Sequence, residues 1–278
     1  MQITSLMIKK ILIPTDGYGL EDHVIRYVAR AFPFADFHVI SVVNTYERGV
    51  QMTDILYREM KDSARKAIQH AEALLEEEGI HLIHTHILEG LPSREIVKYS
   101  KIHDLDIIAM RVYCRKSTAS AHRMGSTIRN VLRISTIPVL TLAEECQRYE
   151  IKNILLLTDG TGISKRAENY AILLASSYKA RLEALYIKEE DEDASKKLDS
   201  VMWRAKYLDV NVKRSIESFR DRDMLMKHFA NNDLVVMGIG RRRILHRHIG
   251  HMAQIVATHS PIPVIFVSAL KKRWFKRA

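Results

Sequence analysis

The chain has 278 residues, of which 47% are apolar and 27% charged, with 11 glycines and 6 prolines. This composition excludes disordered and fibrous classes, and the length favours two domains over one. A formal net charge of +10 points to anionic partners such as nucleotides, nucleic acid or an acidic membrane surface, without choosing among them.

The opening MQITSLMIKK holds no apolar stretch long enough for a signal peptide, and no segment approaches the ~20 apolar residues of a membrane span. A cytoplasmic location is expected. Residues 9–17, KKILIPTDG, read as a buried strand that ends in a tight turn. Helical patterns follow over 20–31 and over 54–78, the latter rich in Ala, Glu, Lys and Leu. His81, His84 and His86 fall on a strand, where 84 and 86 share a face, and they read as surface histidines. Pro92 or Ser93 opens a helix of about ten residues. Asp106–Met110 and Thr136–Leu140 then read as parallel core strands, the second with its proline at a strand start or edge.

The second half repeats this order: KNILLLTDG at 152–160, a helix over 164–178, Asp233–Met237 matching Asp106–Met110, and Pro261–Ile265 matching Thr136–Leu140. Strands alternating with helices predict an α/β fold of two tandem Rossmann-like domains. Each would be a mainly parallel five-stranded sheet with helices on both faces and a ligand site at the carboxyl ends of its strands. The polar stretch from Glu144 to Glu150 sets the boundary, giving domains over 1–148 and 149–278, the second with a basic C-terminal tail.

Strand–Asp–Gly starts, Ile-Pro-Val ends, and the run from Leu88-Glu89-Gly90-Leu91-Pro92-Ser93 to His103-Asp104-Leu105-Asp106-Ile107-Ile108 resemble the universal stress protein family in tandem form. The resemblance implies an adenine nucleotide alpha hydrolase-like fold, and an adenine nucleotide bound with or without magnesium. ATP-binding members carry a loop G-x2-G-x9-G-[ST] after the fourth strand, whose glycines let the backbone approach phosphate at a helix N-terminus. Here the first copy reads Arg111-Val112-Tyr113-Cys114 and keeps only Gly125-Ser126-Thr127. The second copy keeps Gly238, Gly240 and Gly250, one residue short of the family spacing, with His251 where the hydroxyl residue belongs. The resemblance further places Asp16 and Asp159 beside the adenosine, and Val42 and Tyr186 against the adenine. Each aspartate can equally be a turn acid that satisfies local N–H groups.

Arg241-Arg242-Arg243, with His246, Arg247, His248 and His251, could hold phosphate or be a solvated basic loop. The same histidines lack a nearby Cys or carboxylate to complete a metal site. His248-Ile249-Gly250-His251 spells the H-I-G-H of nucleotidyltransferases, but lies after a fourth strand instead of a first. The two cysteines, Cys114 and Cys146, have no metal-type spacing, and Cys114 beside Arg115 and Lys116 is the more reactive candidate. The tail Lys271-Lys272-Arg273-Trp274-Phe275-Lys276-Arg277 suits an anionic surface in composition only.

Together these features favour a regulator that binds ATP or a related adenine nucleotide in partly degenerate sites, with little or no hydrolysis, since neither loop offers a general base. Pairing of the two domains within the chain, a homodimer or an unknown protein partner is expected; nucleic acid is disfavoured. The competing expectation is an interaction module with closed pockets that docks an acidic protein, nucleic acid or membrane.

Overall fold

The computed structural model describes residues 7–17, 19, 21–46, 53–112, 124–162, 164–188, 194, 196–218, 222–240 and 250–269. In the first half, strand β1 (Lys10–Thr15), helix α1 (Asp22–Ala31), β2 (Asp36–Val43), α2 (Asp54–Glu77), β3 (Ile83–Glu89), α3 (Pro92–Ile102), β4 (Ile107–Arg111), α4 (Ser126–Ile134) and β5 (Val139–Leu142) alternate without a break. The second half runs β6 (Asn153–Thr158), α5 (Lys165–Tyr178), β7 (Arg181–Lys188), α6 (Asp199–Tyr207), β8 (Val212–Ser218), α7 (Arg222–Ala230), β9 (Leu234–Ile239), α8 (His251–His259) and β10 (Val264–Ser268).

The expected α/β architecture is present, with one addition. The two five-stranded sheets form a single ten-stranded sheet, in the order β3-β2-β1-β4-β5-β10-β9-β6-β7-β8. Pairing is parallel within each half and antiparallel only between β5 and β10, where Leu140 lies opposite Ile265 and Val139 opposite Phe266. All four side chains are buried, so the junction is core rather than a surface contact. Burying both inner edges also leaves only β3 and β8 as outer edges.

Local chemistry sets where elements begin. The acid that introduces each middle strand stays outside it. Asp106 Oδ2 accepts from the amides of Lys9 and Lys10 at 2.9 and 3.0 Å, and Asp233 Oδ2 accepts from Lys152 and Asn153 at 3.0 and 2.8 Å. These carboxylates satisfy N–H groups at the sheet rim, one residue before the ladders of β1 with β4 and of β6 with β9 begin. β5 and β10 start one residue after Pro138 and Pro263, because a proline offers no donor to a ladder. Ser135 and Ser260 close the turns ahead of them, each donating its hydroxyl over 2.7 Å to the carbonyl two residues on. Thr53 caps α2 by accepting from the Leu56 amide at 3.2 Å, and Pro92 opens α3. In the linker, Arg148 Nη1 donates to the carbonyls of Phe229, Ala230 and Asn232, placing its charge at the negative end of α7. Among the described residues no helix is long and apolar enough to cross a membrane.

If β5 and β10 weld the halves, Leu140→Ala and Ile265→Ala should each cost ~2–5 kcal/mol, and the double variant should depart from additivity by ~0.5 kcal/mol or more. Chemical denaturation of the four proteins measures this; strict additivity would mean the halves pack independently at this seam.

Candidate functional site

At the carboxyl ends of β1, β2 and β4 a cleft of about 230 Å³ opens in the first half. Ile40 and Val42 form its floor, Pro92 and Ile96 of α3 one wall, and Gly125, Ser126, Thr127 and Ile128 the other. Thr15, Asp16, Glu21, Met110 and Arg111 close the remaining side. The four predicted first-half residues, Asp16, Val42, Gly125 and Ser126, therefore line one cleft. Gly125 is the N-cap of α4 and carries no side chain to occupy the first-turn amides.

Asp16 stands 51% exposed at the rim, with Arg111 Nη2 3.3 Å from Oδ2. Arg111 is 16% exposed, so its guanidinium lies along the cleft instead of in solvent. The bulky replacement of the family's first loop glycine thus lays a cation across part of the cleft. Cys114 and the rest of that loop, residues 113–123, lie outside the described residues.

Beneath Asp16 is a group that the motif reading missed. Glu21 is 5% exposed, and its Oε1 accepts from the Thr15 hydroxyl and from the amides of Asp16 and Gly17 at 3.1 and 3.4 Å. Its Oε2 is buried and has no hydrogen-bond partner among the described residues. The turn above it needs Gly17: φ is +79°, and a Cβ there would come within 2.7 Å of the Ala67 Cβ on α2.

The second half repeats this device from another position. Thr158 Oγ1 donates to Glu168 Oε1 at 2.7 Å and accepts from the Gly160 amide at 3.1 Å, as Thr15 does from Gly17 at 3.2 Å. Glu168 is 2% exposed, but its Oε2 is taken by Arg204 of α6. By chain position Glu21 corresponds not to Glu168 but to Ser164, each five residues beyond its aspartate. Only the fold shows that two unrelated positions bring a carboxylate to the same threonine.

Asp159 sits among hydrogen bonds of its own turn. Its Oδ1 accepts from the Thr161 amide at 3.0 Å, the Thr161 hydroxyl at 2.7 Å and the Ser164 hydroxyl. Partial burial pushes its pKa up, but these hydrogen bonds outweigh it and hold the carboxyl below its usual value. Asp159 is thus engaged as a turn acid. Strand register also separates Tyr186 from Val42. Thr15 pairs with Ser41 and Thr158 with Tyr186, so Tyr186 occupies the place of Ser41, and Ile187 that of Val42. The Tyr186 ring is buried under Lys197, whose Nζ stands 5.5 Å from its centroid. Gly238 packs at the start of α5, where an added Cβ would meet the Ser164 Cα at 3.4 Å. Gly250 caps α8, with open space around it. Gly240 follows β9 directly, and Arg241 with the remainder of its basic loop through residue 249 lies outside the described residues. So do the tail from 270 onward and the first two residues of the H-I-G-H stretch, His248 and Ile249. Cys146 is buried, and burial pushes its thiol pKa up, the opposite of a reactive cysteine. Among the described residues no group of three His, Cys, Asp or Glu side chains could hold a metal ion.

Residues 7–142 match the model of the universal stress protein family. A universal stress protein of Mycolicibacterium smegmatis is 25% identical over 92% of this chain and 96% of its own length. The first half of the chain is thus a domain of the universal stress protein family. Another member, from Methanocaldococcus jannaschii, is 28% identical over 48% of this chain and 81% of its own. The crystal structure of a universal stress protein from Archaeoglobus fulgidus superimposes with a TM-score of 0.75 at 21% identity, covering 94% of this chain and 97% of that one, which shows the tandem fold.

Gly17→Ala is expected to destabilise this universal stress protein domain by more than ~1 kcal/mol, since the positive φ and the contact with Ala67 both oppose a side chain. Gly162→Ala, with nothing within 4 Å, is the control and should stay within ~0.5 kcal/mol. Urea midpoints of the two variants decide; equal midpoints would contradict the turn geometry.

Proposed function

We propose that the chain is a nucleotide-responsive regulator with one working adenine-nucleotide site, in the first of its two units (1–148 and 149–278). The observation that carries this reading is the cleft beside Asp16: an apolar floor, a carboxylate at the rim and the uncapped N-terminus of α4 facing it. Adenine would lie on Val42 and Ile40, a ribose hydroxyl would donate to Asp16, and phosphate would meet the α4 amides at Gly125–Ser126. At about 230 Å³ the cleft is smaller than the ~300–1,000 Å³ usual for ligand pockets, which suits a nucleoside body with its phosphates outside. Arg111 would then leave Asp16 for the phosphate, trading a carboxylate partner for another anion. If magnesium accompanies the nucleotide, Asp16 is the carboxylate at the rim nearest to it.

In the second unit Asp159 is engaged by its own turn and Tyr186 lies under Lys197. We read that copy as a structural one. The reading is of binding with slow or no hydrolysis, because the two carboxylates lining the cleft are already engaged, Glu21 by the Thr15 hydroxyl and two amides and Asp16 by Arg111.

A second reading has one observation in its favour: Arg111 lies on Asp16, as it would in a module whose pocket has closed in favour of docking a macromolecule.

Calorimetric titration of nucleotide-stripped protein with AMP, ADP and ATP separates the two. The expected result is one site per chain, weakened at least ~10-fold by Asp16→Ala and changed less than ~2-fold by Asp159→Ala. Two sites per chain, or loss in Asp159→Ala alone, would overturn the assignment; no heat with any nucleotide would favour the docking module. Turnover like that of dedicated ATPases would remove the regulator reading.

A further inference from the structure

Lower on the same face of the sheet as the cleft, β2, β3 and α3 bring four histidines and a tyrosine together. His38 is 7% exposed, and its Nδ1 lies 3.0 Å from the Tyr99 hydroxyl, which lies 2.9 Å from His86 Nδ1. The His38 and His84 ring centroids are 4.6 Å apart, and Tyr99 stacks on His103 at 4.0 Å. His38 and His86 stand 5.6 and 5.8 Å from His103. His84 and His86 are exposed on one strand face, as the sequence suggests, and form the outer part of this cluster, whereas His81 precedes the strand.

The hydroxyl between two imidazoles makes the arrangement sensitive to charge. A tyrosine O–H can donate to one ring nitrogen and accept an N–H from the other, which needs at least one imidazole to be neutral. With both protonated, each would donate, the tyrosine proton would lose its acceptor, and two cations would face each other across one oxygen. Other groups add to this. From β1, Lys10 adds positive charge, and among the neighbouring charges Asp36 on β2 opposes it. Burial first, then His84, His103 and Lys10, depress the His38 pKa to about 4, and burial with His86, His84 and Lys10 lowers that of His103. Burial also raises that of Tyr99, so the phenol stays protonated.

Helix α3 carries both ends of the argument. Its C-terminal side, Tyr99 with His103 at the cap, seals the cluster, and its N-terminal side, Pro92 and Ile96, is a wall of the cleft. We propose that the His38–His84–His86–Tyr99–His103 cluster is an acid-operated latch on α3, which holds the helix while its imidazoles are neutral and loosens it, and the cleft wall with it, when they gain charge. The effect on the cleft rests on the nucleotide reading above; the latch itself does not.

The second half supplies an internal control at the same register. Leu12 pairs with His38 and His38 with His84; Leu155 pairs with Glu183 and Glu183 with Lys213. Glu183 is 7% exposed and accepts from Lys213, Ser215 and His228 on one oxygen and from Asn232 on the other. Burial pushes its pKa up, but those donors together hold it well below the usual carboxylate range. For His38, whose native pKa is depressed, stability is present above the free value of 6.5 and is lost as pH falls from there toward about 4. For Glu183 stability is kept down to the free value of 4.5 and is lost only below it. Between those limits acid should loosen α3 and spare α7.

Hydrogen exchange read by mass spectrometry on the full chain, from pH 7 to pH 5 and corrected for intrinsic rates, tests this. Protection of α3 is expected to fall by up to ~10-fold per pH unit, as one coupled proton requires, while α7 holds. His38→Gln should flatten the α3 profile, and His84→Gln, on an exposed side chain, should reduce its slope without risk to folding. Equal pH responses of α3 and α7, or an unchanged slope in both variants, would overturn the latch. Titration with AMP at pH 7.5 and 5.5 reads the link to the cleft: weaker binding in acid supports it, and equal affinity overturns the link. Failure of AMP to bind at either pH would remove the nucleotide reading while leaving the exchange result to judge the latch.

Discussion

The antiparallel pairing of β5 with β10 is the constraint on which the rest of the molecule depends. A parallel α/β unit that ends on an exposed core-facing strand is incomplete, since that edge carries unpaired backbone groups and apolar side chains. Here the edge of each half is covered by that of the other, and Val139, Leu140, Ile265 and Phe266 become interior. The two copies thus share one sheet with their helices on both faces, and the carboxyl ends of the strands remain open for sites.

Once the halves share stability, they are free to differ at the strand ends. Each keeps a buried carboxylate beneath its Thr-Asp-Gly turn, but the carboxylates come from different positions and are satisfied to different degrees. Glu168 has both oxygens engaged, one by Arg204, whereas Glu21 Oε2 has no partner among the described residues, at a cost of ~1–3 kcal/mol for a buried acceptor. Natural chains tolerate such a cost mainly where function requires it. A difference between the halves shows at the rim as well, where Asp16 pairs with Arg111 and lines a cleft. It recurs lower on the sheet, where His38 and Glu183 share a register and give opposite responses to acid.

Much of the fold was legible because it is written in local patterns: apolar runs of strand length, Thr-Asp-Gly punctuation, a proline ahead of each last strand and a second copy to check them against. Pairing of the two domains within the chain was expected, but its strands and register were not legible, because a pairing across 123 residues between Thr141 and Val264 leaves no local trace. At the site, Asp16, Val42, Gly125 and Ser126 came from motif and resemblance and do converge. Glu21 was missed because a glutamate at the start of an amphipathic helix reads as a solvated first-turn acid. Its one sequence signal was its place five residues after Asp16, where the second copy has Ser164. Tyr186 was chosen over Ile187 because alignment by eye cannot fix a strand register to one residue, and such a slip moves a side chain to the opposite face. The histidine cluster was half visible, as His84 and His86 on one strand face; His38, Tyr99 and His103 join it only through the packing of β2 and α3.

A crystal structure of the protein soaked with an adenine nucleotide would test the central claim most directly, that one copy of the duplicated fold binds and the other supports. The account predicts density between Asp16, Val42 and Gly125, with Arg111 turned from Asp16 toward phosphate, and none beside Asp159. Density beside Asp159 with an unchanged Asp16–Arg111 pair would contradict it.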